Sequence, residues 1–461
     1  MKKLIWFALA ICASLAVLSA EDIRIVLQAG QRPKMAVPDL RGSGAAQPLM
    51  AAFNDTLWND LDGAGLFDMV AKTSYPTMVP QQLSDFRQPA PVQTPRGRRK
   101  DELVSARTGG GLWLTDWSNP PAQANYLAIG YTGVQNNVLV LYGWLLDLSK
   151  DTPDAAKVLG NRYLGSVDDA GARNVAHQFA ADILKMFGQP SLFGTKITFV
   201  SNRTGNKEVW SMDWDGSNQK QITHFNALSI QPTFSPDASK VAFTSYVRGN
   251  PGIFVFSVDP VRQLPFYNQI ASVNETPEFT PDGKQLLFSS SAGGHCCRII
   301  LTNLDGSGFR AISSSSAIDV EPKVNPKTGN EIVFVSGRSG PQQIYRMNMD
   351  GTDVERLTPG EGEASNPSWN PDGQYMAFSW TQGYATGNFN IFVMDVTTRS
   401  YIQLTHGEGR NENPSWAPDG KHIVFGSTRT GTSQIWTMLA NGTQLKQLTT
   451  QGSNSTPSWG K

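Results

Sequence analysis

The rhythm of hydrophobic and polar positions changes twice along the chain. Residues 4–17 are mostly apolar and uncharged, behind Lys2 and Lys3. Between 33 and 190, short alternating runs mix with helical periodicity. Met35-Ala36-Val37 predicts a short strand, and 47–61 a helix with Leu49, Phe53, Leu57 and Leu61 on one face. Further strands are predicted at 67–70, 126–130 and 138–146. A second helix over 169–187 spaces Ala172, Val175, Ala176, Phe179, Ala180, Ile183, Leu184 and Phe187 along one face, and Gly188 with Pro190 ends it. These elements make a small mixed α/β domain over 33–190.

From residue 195 the pattern repeats. A proline recurs at Pro232, Pro277, Pro322, Pro367, Pro414 and Pro457, at spacings of 45, 45, 45, 47 and 43. The fullest copies are Asn366-Pro367-Ser368-Trp369-Asn370-Pro371-Asp372-Gly373 and Asn413-Pro414-Ser415-Trp416-Ala417-Pro418-Asp419-Gly420. Each is followed by an apolar run ending near a Phe (Phe243, Phe288, Phe334, Phe378, Phe425), then a third strand such as Gln434-Ile435-Trp436-Thr437-Met438. A fourth ends in Leu-Thr, as at Leu357-Thr358, Leu404-Thr405 and Leu448-Thr449. Four short strands per period of about 44 residues describe one blade of a β-propeller. Pro-Asp-Gly makes the tight turn between the first two strands. The aromatic before that turn (Phe234, Phe279, Trp369, Trp416, Trp459) belongs between blades.

Residues 195–461 hold six such periods. They open on Lys196-Ile197-Thr198-Phe199-Val200-Ser201, which matches a second strand. They stop at Thr456-Pro457-Ser458-Trp459, which matches a first strand. The last residues therefore complete the blade that Ile197 begins, leaving no free edge. The predicted fold is an α/β N-terminal domain followed by an all-β six-bladed propeller with terminal-strand closure.

Composition narrows the function. The chain has 461 residues, with Lys+Arg and Asp+Glu at 39 each. So even a balance offers no electrostatic footprint for nucleic acid. Residues 1–20 read as a secretory signal peptide, since Leu18-Ser19-Ala20 supplies small residues before Glu21-Asp22. Leu9-Ala10-Ile11-Cys12 only loosely resembles a lipobox, because Ile11 is large and the apolar run continues past the Cys. No later segment approaches the roughly 18 apolar residues of a membrane helix. The expected product is exported, not membrane-embedded, and begins near Glu21. Cys296 and Cys297 are then its only cysteines. That excludes a disulfide framework, and contiguous His295-Cys296-Cys297 is a poor set of metal ligands.

Signs of catalysis are thin. There is no Gly-x-Ser-x-Gly elbow, no Gly-x-Gly-x-x-Gly after a strand, no Walker sequence and no His-Glu-x-x-His. His177, His224, His295, His406 and His422 are scattered, and His177 lies off the apolar face of its helix, which suits a surface or inter-domain contact. The rival classes are a peptidase-like protein whose propeller gates a catalytic domain and a sugar- or quinone-binding propeller working at its channel. The loops entering the inner strands do carry Glu275, Glu321, Glu363 and Glu412 near the repeat prolines, with His224 and His406. Such a rim fits protein binding, a weakly held divalent cation, or plain solvation. The basic, Pro-rich stretch 89–100 reads as a solvated loop insertion.

The order of signal peptide, small α/β domain and six-bladed propeller resembles the TolB family of the Tol-Pal system. The most telling stretches are Ala176-His177-Gln178-Phe179-Ala180-Ala181-Asp182-Ile183, Thr195-Lys196-Ile197-Thr198-Phe199-Val200-Ser201 and Met212-Asp213-Trp214-Asp215-Gly216. The resemblance covers nearly the whole mature chain; the insertion at 89–100 and the end at Trp459-Gly460-Lys461 depart from it. It implies a periplasmic, non-enzymatic scaffold without a cofactor. Such a scaffold joins a Pal-like outer-membrane lipoprotein to a TolA-like inner-membrane protein and supports envelope integrity and invagination during cell division. Residues 21–32, with Glu21, Asp22, Ile23, Arg24, Ile25, Val26 and Leu27, resemble the family's TolA-docking segment. Their alternation also suits strand addition to a sheet edge, or the first strand of the α/β domain. Pal is expected at the rim of His224, Glu275, Glu321, Glu363, His406 and Glu412.

Overall fold

A computed structural model describes residues 32–87, 110–294 and 297–461. The signal peptide, most of the 21–32 segment, the basic stretch 89–100 and His295-Cys296 lie outside those residues.

The N-terminal part is a mixed sheet with two helices on one face. Its strands are β1 (Lys34–Ala36), β2 (Arg41–Gly42), β3 (Asp68–Met69), β4 (Tyr126–Gln135), β5 (Val138–Asp147) and β6 (Lys157–Gly165), in the order β3-β1-β4-β5-β6 with β2 beside β4. Helix α1 (Met50–Gly63) follows a 3₁₀ segment, Gly44–Leu49, so the predicted 47–61 helix starts later and its first turn is tighter. Pro48 within that segment lacks the N–H that an α-helix interior needs. Helix α2 (Asp169–Met186) begins where Asp168 accepts from Gly171 N at 2.7 Å. Its apolar face meets α1 and the sheet in one core, with Phe53, Leu57, Val175, Phe179 and Ile183 fully buried.

The propeller has six four-stranded blades. Blades 1 to 5 start at the inner strands Ser229–Phe234, Asn274–Phe279, Asp319–Val324, Ala364–Trp369 and Asn411–Trp416. Blade 6 combines Asn454–Gly460 with Lys196–Ser201, which pair antiparallel from Asn454 opposite Ser201 to Gly460 opposite Lys196. The ring closes as the repeat predicts. Trp459 shows why the end holds: its N–H donates to Ser415 Oγ of blade 5 and its indole Nε1 to Thr195 Oγ1, each at 3.0 Å.

The repeated wording has a packing reason. Phe243, Phe288, Phe334, Phe378 and Phe425 are fully buried blade centres. The inner-strand aromatics pack on the preceding blade, Trp416 with Tyr375 and Ala377, Trp369 with Val333 and Val335. The Thr of Leu-Thr pins the outer strand to the third. Thr449 Oγ1 accepts from Ile435 N at 2.8 Å and donates to Gln434 Oε1 at 2.8 Å; Thr405 does the same with Ile391 and Asn390. These groups are buried and would cost free energy unpaired. Cys297 is disulfide-bonded, which the sequence reading did not anticipate.

Candidate functional site: the channel and its open face

Six copies of one local structure line the channel. The residue before each repeat proline has a left-handed backbone: Gln231 (φ 54°), Thr276 (56°), Glu321 (54°), Asn366 (54°), Asn413 (54°) and Thr456 (45°). At each of these places the ladder to the next strand skips, as between Glu275 and Glu278 or Glu412 and Ser415. The bulge turns that residue out of the ladder and toward the axis. A residue with a Cβ loses roughly 1–2 kcal/mol in this conformation, so neighbours must hold it. Some of those holds are visible. Asn366 donates from N (2.6 Å) and Nδ2 (3.1 Å) to Glu321, Thr276 N donates to Thr244 Oγ1 (3.1 Å), and Asn413 N donates to Ser379 Oγ (3.1 Å). Next along these strands, Lys323 Nζ pairs with Glu278 at 2.5 Å. The ring encloses a cavity of 130 Å³.

The six rim residues expected from sequence do not form one cluster. Glu321 lies in the throat, one step closer to its repeat proline than Glu275 and Glu412 are to theirs. Burial raises its carboxyl pKa, and nearby Glu275 adds to this, although Asn366 and Lys323 oppose it. Glu275 is half-buried, and burial raises its pKa too. Glu412 is ion-paired with Arg410 at 2.6 Å. The Glu363 N–H donates to Thr381 Oγ1 at 2.8 Å. His224 and His406 are exposed, and His406 N donates to Glu408 at 2.9 Å. Among the described residues, no group of three or more His, Cys, Asp or Glu is placed to hold a metal ion. Glu21, Asp22, Ile23, Arg24, Ile25, Val26 and Leu27 lie outside the described residues. The left-handed ring itself was missed from sequence. Its signal was a polar residue before each repeat proline, at a position where backbone sterics disfavour helical angles.

The two propeller faces differ in what covers them. One carries the turns after the inner strands and the turns between third and fourth strands. Here the N-terminal domain docks: His422 Nε2 lies 2.8 Å from Gly63 O, Gln444 Nε2 3.4 Å from Asp62 Oδ2, and His177 Nε2 3.8 Å from Asp215 Oδ2. His177 thus makes an inter-domain contact, one of the two roles, surface or inter-domain, that its helix position suits. A cavity of 380 Å³ lies between the domains, lined by Asp60, Leu184, Trp214, His422 and Lys446 among others. The other face bears the loops with His224, Glu275, Glu363, His406 and Glu412.

The TolB beta propeller domain matches residues 184–385 and 360–461. The chain belongs to the TolB β-propeller family. It is similar to a TolB homologue of Chlorobium luteolum, 34% identical over 200 residues, covering 43% of this chain and 44% of that one. A TolB homologue of Chlorobaculum tepidum is 35% identical over 206 residues, covering 44% and 36%. The chain spans about half the length of the curated relatives it matches, or less. The crystal structure of TolB from Acinetobacter baumannii superposes with a TM-score of 0.72 at 21% identity, covering 93% of this chain and 97% of that one, a likeness of fold. Among the described residues, this TolB-type propeller meets its own N-terminal domain on one face, and the other, with the channel mouth, is uncovered. Among the described residues no helix is long and apolar enough to cross a membrane.

Proposed function

We propose that this chain is a non-enzymatic periplasmic scaffold of the Tol-Pal type. Its propeller binds a Pal-like outer-membrane lipoprotein, and residues 21–30 dock on a TolA-like inner-membrane protein. Envelope integrity and invagination at division would depend on the link. Membership of the TolB propeller family carries the reading. The placement of the N-terminal domain supports it, because among the described residues that domain covers part of the Pro-Asp-Gly face and leaves the channel mouth open. Loops entering the inner strands converge there, so side chains distant in sequence can meet one partner.

Deleting residues 21–30 from the mature chain tests the inner-membrane end. TolA binding is expected to be lost with the melting temperature unchanged, since the segment precedes β1. Undiminished TolA affinity in the truncated chain would overturn that assignment. A large fall in melting temperature would assign the segment to the α/β sheet instead.

A further inference from the structure

Two histidines hold the domain boundary, one from each side, in the same arrangement. His177 on α2 places Nδ1 2.6 Å from Asp60 Oδ2, within its own domain, and Nε2 3.8 Å from Asp215 Oδ2 of the propeller. His422 of the propeller places Nδ1 2.6 Å from Asp419 Oδ2, within its own turn, and Nε2 2.8 Å from Gly63 O at the end of α1. All four ring nitrogens therefore face acceptors. A neutral imidazole donates from one nitrogen only and presents a lone pair at the other. The side chains are only 11% and 9% exposed, which leaves water little room to intervene. Gly63 O belongs to the last turn of α1, where carbonyls lack helical partners and the helix dipole favours a cation.

Among the described residues, the charges around each ring are few. Asp60, Asp213 and Asp215 surround His177, with the rings of Phe193 and Trp214 each at 5.5 Å, and Lys446 acts on Asp60. Asp419 faces His422, with Lys421 and Arg32 beyond it and the Trp459 ring at 6.5 Å. Burial disfavours a charged His177, but Asp60, Asp215 and Asp213 outweigh it and hold its pKa above the ordinary value. Burial likewise raises the Asp60 carboxyl, more than His177 lowers it. A base with a raised folded pKa contributes fully below its ordinary value, about 6.5 for histidine, and loses that contribution as pH rises through the raised value.

We propose that His177 is the proton-dependent side of a clasp between the N-terminal domain and the propeller, which His422 completes from the other side. With its ring charged, His177 reaches across the boundary to Asp215. Loss of that proton leaves a lone pair facing an acceptor and loosens the contact. The clasp flanks the 380 Å³ inter-domain cavity, so pH would alter how the domains enclose it. Nothing in this depends on the partners proposed above.

Scanning calorimetry of the full mature chain from about pH 5.5 to 8.5, on either side of the ordinary histidine value, tests the coupling. One endotherm is expected at the acidic end, splitting into two at the alkaline end. In the double variant His177→Gln/His422→Gln, whose amides donate at every pH, the pattern should not change across the range. Histidine NMR gives a second readout, with the His177 resonance assigned from His177→Gln. Its midpoint should lie above about 6.5 in the wild type and fall in Asp215→Asn. A wild-type endotherm that is constant with pH, an equal change in the double variant, or a midpoint unmoved by Asp215→Asn would each overturn the clasp.

Discussion

Blade 1 turns through Ala238 where blades 2, 4 and 5 place Gly283, Gly373 and Gly420. Its φ is 52°, against 68°, 72° and 68° for the glycines. The Cβ of Ala238 costs roughly 1–2 kcal/mol in that region. A glycine would return about 0.5–1 kcal/mol of that as unfolded-chain entropy. Ala238→Gly is therefore expected to stabilise the propeller by about 0.5–1 kcal/mol, read as a higher denaturant midpoint. The preceding Asp237 accepts from the hydroxyls of Ser235 (2.6 Å) and Ser239 (2.8 Å) and from Ser239 N (3.1 Å), which hold its carboxyl down to about 2. A depressed pKa contributes above the ordinary value near 3.8 and is lost as pH falls toward about 2. The side chain is exposed, so Asp237→Asn should cost less than about 1 kcal/mol at pH 6. That deficit should shrink in denaturant titrations as the pH is taken below about 4. A deficit that does not change with pH would assign it to the turn rather than to the charge.

Among the elements, the closing strand has the largest expected effect. Trp459 is 8% exposed, packs with Ile197, Phe199 and Val424, and donates to Thr195. Removing a buried Trp typically costs about 3–5 kcal/mol, and cutting the chain before Thr456 would also bare the edge of Lys196–Ser201. The truncated protein should melt well below the full chain. Melting within a degree or two of the full chain would show that this strand does not close the ring. The closure was legible because each blade repeats the same wording, so an incomplete first copy and an unpartnered last strand could be matched. The α/β part was less legible. Strand β6 was missed: only Tyr163 of its nine residues is buried, so no apolar alternation betrays it. It is a strand because β5 pairs with it along most of its length. Strands β4 and β5 run longer than predicted, to Gln135 and Asp147, since each has a partner along its full length. The candidate site was half legible. The loops that reach the mouth followed from the repeat register, but the bulge that places Glu321 inside the throat is set by backbone angles that side-chain pattern does not report.

At the scale of the whole molecule, the proposed scaffold has two ends. In that proposal the N-terminal segment would meet the inner-membrane partner, and the open propeller face the outer-membrane one. Charge reversal at two rim positions, Glu275→Lys with Glu412→Lys, isolates the second end. Glu412 now pairs with exposed Arg410, so its reversal turns an attractive contact repulsive at small cost to the fold. Like charges pressed together across an interface can cost several kcal/mol, while exposed ones fade with salt. The decisive measurement is the affinity of the soluble domain of a Pal-like lipoprotein for the wild-type and doubly reversed chains. It is taken by titration calorimetry at low and high salt, with thermal melts as the folding control. The account predicts that the wild type binds, and that the reversed chain binds much more weakly at low salt while melting as the wild type does. Wild-type affinity in the reversed chain would contradict the open-face site and send the search to the Pro-Asp-Gly face.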